Sequence, residues 1–283
     1  MITYKLCSEN DLDPMFEAFT KGFSDYMIKF ELTKEQFKNL FLGIEGNRFE
    51  YSLLAKDDFK PVGIMLGGIK TYDGLKTLRC GTLAIDPDYR RKGVAQELFN
   101  RHHSIGVKEN CQQLFLEVIK GNDKAIHFYL KQGYEIKNDI FYYQLKDASL
   151  LNDKETNSYM IKSISFENVN DFYHKHDDKH LNWQNDFDYQ KQIKEMMYYG
   201  SFDQDQLIGV LSMTPNGKIF YLFVHETFRR KGIATSLLHF AKSKANFKSI
   251  NISVTHKPDL MSYLEKQGFV LQSISQHEMY VSL

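Results

Sequence analysis

Two stretches of this sequence carry one basic, glycine-containing pattern. Leu83-Ala84-Ile85-Asp86-Pro87-Asp88-Tyr89-Arg90-Arg91-Lys92-Gly93-Val94-Ala95 recurs as Leu222-Phe223-Val224-His225-Glu226-Thr227-Phe228-Arg229-Arg230-Lys231-Gly232-Ile233-Ala234. Each copy reads as an apolar strand, a short turn, then Arg-Arg-Lys-Gly opening a helix with apolar periodicity. The chemistry this suits is anion binding. The first four N–H groups of a helix have no internal acceptor, and the helix dipole favours negative charge there. Gly93 and Gly232 remove a Cβ where a ligand would approach the backbone. The arginines and the lysine supply charge for phosphate oxygens. A single Arg-Arg-Lys-Gly is more often a solvated turn. Here both copies are followed by Lys-Gln-Gly-aromatic, at Lys131–Tyr134 and Lys266–Phe269, which marks an internal repeat. The pattern predicts a pyrophosphate cradle in two copies.

The elements that would position these cradles follow from periodicity. Strands are predicted over 2–6, 49–56, 62–69, 76–85 and 114–119, with Asp73-Gly74 as a two-residue hairpin turn. Asp11 can cap a helix over 12–20. Thr33 and Gln36 form a capping box for a helix with Phe37, Leu40, Phe41 and Ile44 on one face. Helices follow over 93–108 and 123–132, the latter ended by Gly133. The stretch from Ile136 through Phe141–Leu145 closes the first sheet. The polar run 147–158 reads as a linker between a first domain, 1–146, and a second, 159–283. The second repeats the pattern: strands over 159–164, 201–202, 207–213, 218–224, 250–254 and 277–283, and helices over 169–177, 189–199, 232–245 and 258–267. The fold class expected is α+β, as two units of a mostly antiparallel twisted sheet with helices on both faces.

Composition bounds the rest. The 283 residues suit two domains, and 42% hydrophobic with 14% aromatic residues suffices for two cores. A formal net charge of zero gives no bulk electrostatic case for nucleic acid or an anionic membrane. No apolar run is long enough to span a bilayer. The first residues read as a strand and not as a signal peptide. Cys7, Cys80 and Cys111 are odd in number and lack metal-ligand spacing, so a reduced cytoplasmic protein is the default expectation.

The motifs Arg90-x-x-Gly93-x-Ala95 and Asn122-x-x-Ala125-x-x-x-Tyr129-x-x-x-Gly133-Tyr134 resemble those of the GNAT superfamily of acyl-CoA-dependent N-acetyltransferases. The likeness covers two units and is fuller in the first. It implies acetyl-CoA as the acyl donor, held by Leu83, Ala84, Ile85, Arg90, Arg91, Lys92, Gly93, Val94, Ala95 and Asn122. A second candidate site comprises Phe223, Val224, Arg229, Arg230, Lys231, Gly232, Ile233 and Ala234. It further implies a primary-amine acceptor on a small molecule or peptide N-terminus, attacked on the acetyl thioester directly. Glu117 would be the base and Tyr129, twelve residues on, the acid that protonates the thiolate. Without the resemblance, a strand Glu reads as a solvated residue and a helix Tyr as core. Phe23, Tyr26 and Phe30 fall in the connector that forms the acceptor wall in that family.

The repeats differ where chemistry would occur. Cradle residues lie 139 apart (Arg90 and Arg229) and later ones 135 apart (Gly133 and Gly268), which sets Ile252 against Glu117, Leu264 against Tyr129 and Lys257 against Asn122. The second unit thus keeps the cradle without the acid–base pair. Two alternatives stay open: an acyl-CoA-binding regulatory module without turnover, and a second unit active through Tyr263 or an unassisted amine. His174, His176 and His180 read as a solvated helix end in preference to a metal site. Trp183 is a candidate binding aromatic, though core packing explains it as well. No metal is expected, and a monomer or homodimer is.

Overall fold

The computed structural model describes residues 1–151, 159–176 and 180–283. The chain divides into two compact units, 1–137 with 277–283, and 138–276.

Unit 1 contains β1 (Ile2–Leu6), α1 (Leu12–Gly22), α2 (Lys34–Phe37), β2 (Arg48–Asp57), β3 (Lys60–Tyr72), β4 (Leu75–Ile85), α3 (Val94–Lys108), β5 (Gln113–Ile119) and α4 (Asp123–Lys131). Its strands are ordered β1-β2-β3-β4-β5, followed by the end of β12 (Val270–Ser282). Pairing is antiparallel from β1 to β4 and parallel between β4 and β5. Strand alternation sends side chains to two faces. Leu53, Met65, Leu78, Leu114 and Leu116 pack with Val94, Leu98 and Phe99 of α3 and Tyr129 of α4. Leu54, Ile64, Leu66 and Ala84 pack on the other face with Met15 and Phe19 of α1 and Phe37 of α2. The local signals hold: Asp73 and Gly74 are both left-handed (φ 50° and 76°), and Thr33 and Gln36 form both bonds of their capping box. The second helix then widens into a π-type turn over Lys38–Ile44.

Unit 2 repeats the plan with β6 (Glu135–Leu145), β7 (Met160–Ser163), α5 (Phe166–His176), α6 (Phe187–Gln190), β8 (Met197–Asp203), β9 (Gln206–Met213), β10 (Lys218–Val224), α7 (Ile233–Lys244), β11 (Ile250–Thr255) and α8 (Pro258–Lys266). The strand order is β6-β11-β10-β9-β8-β7. One face packs on α7 and α8 through Leu237, Leu238 and Leu264, the other on α5 through Val169 and Phe172. Both units are therefore mixed sheets, mostly antiparallel, with helices on both faces.

Two features depart from the sequence reading. The helix expected over 189–199 stops at Gln190, and Met197 onward is strand. Tyr199 pairs with both Ser163 and Leu211, so sheet pairing on both edges overrides the helical spacing. The unit boundary also falls elsewhere than 146/159. The chain passes into unit 2 at residue 138, within β6, and its last residues, 277–283, belong to unit 1. Most of the expected linker, residues 152–158, lies outside the described residues.

Candidate active site

The parallel strands β4 and β5 pair only from Thr77–Cys80 to Gln113–Leu116, although β4 continues to Ile85 and β5 to Ile119. Beyond Cys80 the two strands separate. Over this stretch β4 still pairs with β3, from Leu66–Thr82 to Gly63–Ile85. The opposite edge of Leu83, Ala84 and Ile85 faces the opening without a partner strand. This is where the sequence placed backbone groups for an extended amide-bearing ligand.

At the end of β4 the chain makes the predicted turn. Arg91 and Gly93 are both left-handed (φ 61° and 83°). The first helical bond of α3 runs from the Glu97 N–H to the Gly93 carbonyl, so the amides before it have no helical acceptor. A Cβ at Gly93 would meet nothing within 4 Å. Its glycine thus answers the positive φ, and the crowding argument from sequence does not apply within the protein. Arg91 and Lys92 are exposed, and the Lys92 ammonium lies over the Tyr89 ring at 4.8 Å. Arg90 is differently engaged. Its Nε donates to the Ile85 carbonyl at 3.2 Å, and both terminal nitrogens bind Asp25 at 2.7 Å. Of the expected phosphate ligands, Arg90 instead ties the connector after α1 to the cradle.

Tyr129 is 7% exposed and packs against Phe128 and Tyr134. Its hydroxyl lies beside the Cys80 thiol, which stands at the last β4–β5 pair. Tyr129 therefore ends at the apex of the opening. Burial first, then the neighbouring Cys80 and Tyr134, raise its pKa well above the ordinary phenol value, so it is a proton donor at neutral pH. Glu117 lies just past that apex on β5. Its side chain is 2% exposed, with Oε2 accepting from Arg79 at 2.7 Å. Arg79 also pairs with Glu45. The other Glu117 oxygen has no partner among the described residues. Burial is the main cause that pushes the Glu117 carboxyl up to about 7; Arg79 opposes it, and Glu278 and Glu45 reinforce it.

Asn122 caps α4, its side chain accepting from the Ala125 N–H, and its Nδ2 lies 3.5 Å from the Tyr26 hydroxyl. Phe23, Tyr26 and Phe30 pack on one another, with centroids 4.9, 5.0 and 6.3 Å apart. The structure therefore gathers the cradle, Tyr129, Glu117, Asn122 and the aromatic connector around one opening. Sequence reasoning missed Arg79, Cys80 and Glu45. A charged residue within the apolar run Leu78-Arg79-Cys80 was the available signal, because a strand arginine pointing inward needs buried carboxylates.

The second cradle has the same backbone. Arg230 and Gly232 are left-handed (φ 63° and 76°), and the Ser236 N–H bonds the Gly232 carbonyl. Arg229 repeats the inward bond of Arg90, to the Val224 carbonyl, and pairs with Asp259 at 3.1 Å. Lys231 lies 4.9 Å over the Phe228 ring. The strand register corrects one correspondence. Arg79 and Cys80 pair with Phe115 and Leu116, whereas Lys218 and Ile219 pair with Asn251 and Ile252. Strand β11 thus matches β5 at a spacing of 136, so Ser253 and not Ile252 stands where Glu117 does. A one-residue shorter turn before α8 hid this in the sequence. The Asn185 side chain binds both the Ser253 carbonyl, at 2.9 Å, and its hydroxyl, at 3.3 Å. Leu264 is fully buried, and Tyr263 hydrogen-bonds Thr235 at 3.2 Å. Trp183 is 3% exposed, in the core, and the His176 ring packs on Phe172 and His225. Among the described residues no three His, Cys, Asp or Glu side chains form a metal-holding group. No described helix is long and apolar enough to cross a membrane.

Comparisons with known proteins converge on one family. Residues 12–134 match the family model described as "Acetyltransferase (GNAT) family", and residues 161–282 match the "Acetyltransferase (GNAT) domain". An acetyltransferase of Sodalis glossinidius (strain morsitans) is 31% identical over 103 residues, 36% of this chain and 68% of that protein. An acetyltransferase of Yersinia pestis (strain Pestoides F) is 33% identical over 91 residues, 32% of this chain and 62% of that protein. The chain thus spans about two thirds of the length of these relatives. Among solved structures, a tandem GNAT protein from the clavulanic acid biosynthesis pathway, without AcCoA, superposes with a TM-score of 0.69 at 11% identity, over 100% of this chain and 98% of that one. A GCN5-related N-acetyltransferase from Sphaerobacter thermophilus superposes with a TM-score of 0.64 at 12% identity, over 99% and 95%. At such identities the likeness is one of fold.

Proposed function

The chain belongs to the GNAT acetyltransferase family, and from that premise we propose that unit 1 transfers an acetyl group from acetyl-CoA to a primary amine of a small molecule or a peptide N-terminus, with Glu117 as base and Tyr129 as acid. The residues fit the donor. The amides at the start of α3, with Arg91 and Lys92, suit a pyrophosphate, and the unpaired edge of Leu83–Ile85 suits an amide-rich arm. When bound, acetyl-CoA supplies the thioester carbonyl that the amine attacks and the thiolate that leaves. The chain's own residues manage the protons. The partnerless oxygen of Glu117 accepts one from the amine, directly or through water, while Arg79 holds the other oxygen. The Tyr129 hydroxyl donates one to the departing sulfur.

The observation that carries this reading is the pairing, at one opening, of a buried carboxylate with a free oxygen and a phenol held at the strand apex. Glu117→Gln and Tyr129→Phe, assayed for amine-dependent thiol release against a panel of amines, should each lower kcat by about 10²-fold or more. Full turnover in both variants would overturn the assignment. A second reading, acyl-CoA binding without turnover, is favoured for unit 2 alone, where Ser253 and Leu264 replace the acid–base pair. Calorimetric titration with acetyl-CoA should count one site if the Asn185 contacts close that opening, and two if its cradle still binds.

A further inference from the structure

Asn47 brings a second partnerless oxygen to the face of the sheet on which Glu117 stands. We propose that Asn47 is an acceptor-binding residue, its side-chain oxygen and the partnerless Glu117 oxygen together receiving two N–H groups of a primary ammonium. The inference rests on the reading of Glu117 as the base at the acceptor nitrogen.

The placement starts from Gly81. Strands β3 and β4 pair Leu66 with Thr82 and Gly67 with Cys80, so Gly81 is the extra residue of a β-bulge. It follows Cys80, the last residue of β4 paired to β5, just as Glu117 follows Leu116. Leu114, Leu116 and Val118 pack with Leu98 of α3 and Tyr129 of α4, so Glu117 points to the other face. Arg79, two residues before Gly81, points there too and bonds Glu117. On that face Asn47 lies directly on Gly81. A Cβ at Gly81 would come within 2.2 Å of the Asn47 Oδ1 and 2.8 Å of its Nδ2. Gly68 of β3 makes the same room for the preceding residue, since a Cβ there would meet the Gly46 carbonyl at 2.4 Å. The two glycines let the chain after the π-type turn cross the sheet against its backbone.

The Asn47 side chain is fixed but only half used. Asn47 is 1% exposed. Its Nδ2 donates to the Phe41 carbonyl at 2.7 Å, and only the amino end of an amide can do so, which leaves Oδ1 on Gly81. That oxygen has no partner among the described residues, and neither has the second oxygen of Glu117. Buried acceptors left without a donor are costly. An amide oxygen and an ionised carboxylate oxygen only accept, so the group that serves both carries two donors, and the carboxylate favours a cation. Neighbouring strands lie roughly 4.7–4.9 Å apart, and one nitrogen spans such a gap with two hydrogen bonds of about 2.9 Å.

The test titrates the full chain, in the presence of coenzyme A, with phenethylamine and N,N-dimethylphenethylamine, whose ring suits Phe23, Tyr26 and Phe30. At neutral pH the primary ammonium carries three N–H groups and the tertiary one carries one, so only the primary amine can serve both oxygens. Calorimetry should show a preference for it of about tenfold or more. Asn47→Leu keeps the bulk of the side chain and removes its oxygen, and the main-chain N–H of that residue still serves the Phe41 carbonyl, at 3.2 Å. In this variant the preference should fall to about twofold, with the affinity for coenzyme A unchanged. Gly81→Ala, which drives a Cβ into Oδ1, should lower the preference as well and replaces Asn47→Leu if that variant does not fold. An unchanged preference in folded variant protein overturns the proposal and leaves Oδ1 to water. Failure of phenethylamine to bind the wild type at millimolar concentration overturns it too. If the preference falls as expected while Glu117→Gln keeps full turnover, the nitrogen site stands and the assignment of Glu117 as base fails.

Discussion

At the scale of single residues, the site depends on where protons sit. Glu117 has its carboxyl pushed up to about 7 by burial, against 4.5 in the unfolded chain. Between these values the folded protein binds more protons than the unfolded one, so stability falls as pH rises through that window. Relative to wild type, Glu117→Gln should therefore lose less stability between pH 5 and pH 8. Denaturant melts at the two pH values measure this, with an expected difference on the order of 1–3 kcal/mol. Gly93 makes a second residue-scale case. Its φ of 83° costs an L-residue roughly 1 kcal/mol, and the backbone it shapes is the anion site proposed for acetyl-CoA. Gly93→Ala should lower the thermal midpoint slightly while weakening acetyl-CoA binding disproportionately, read by calorimetry. The sequence identified this glycine. It could not say that the reason is the dihedral angle, because the open space around the missing Cβ is a property of the folded turn.

At the scale of elements, the two repeats share a backbone and differ in what occupies the strand separation. The β4–β5 opening holds Tyr129 and Glu117, whereas at the β10–β11 opening Asn185 binds Ser253. Asn185→Ala would leave the buried Ser253 carbonyl and hydroxyl without these partners. A loss of about 1–3 kcal/mol in the stability of unit 2 is expected, with the acetyl transfer proposed for unit 1 unaffected, checked by hydrogen exchange in β11 and by turnover. The connector after α1 is held to the cradle by the bidentate Arg90–Asp25 pair, which is partly exposed. Asp25→Asn should accordingly cost only about 0.2–1 kcal/mol, and a larger effect on KM than on the melting midpoint would mark the connector as part of the binding surface. Phe23, Tyr26 and Phe30 were legible from sequence as an aromatic connector, and the proposal that they wall the acceptor comes from the family resemblance. Arg90 was legible as a motif residue but not as a clamp, since Asp25 lies 65 positions away.

At the scale of the whole chain, the units are completed out of sequence order. The strand after α4 passes into unit 2, and residues 277–283 return to unit 1. Truncation after Gln276 removes no motif residue of unit 1, yet it strips the edge of β5 of its neighbour and deletes Glu278, Met279 and Tyr280 from a buried region. Loss of acetyl transfer and rapid amide exchange in β5 are expected, with unit 2 still protected; full activity in the truncated chain would show that the last strand is dispensable.

The sequence by itself determined the repeat, the family and nearly every strand and helix, and it singled out the two glycine-containing turns, Glu117 and Tyr129 as candidates. These are local properties: alternation, helical spacing, turn glycines and short motifs each speak through neighbours a few positions away. Only the tertiary structure decided which strand lies beside β5, that Glu117 corresponds to Ser253, and that Arg79, Glu45 and Glu278 surround it. Strands β6 and β12 offer the same alternation, so nothing local distinguishes which of them completes which unit. A buried charge likewise meets partners from distant strands, and those meet only once the sheet has formed.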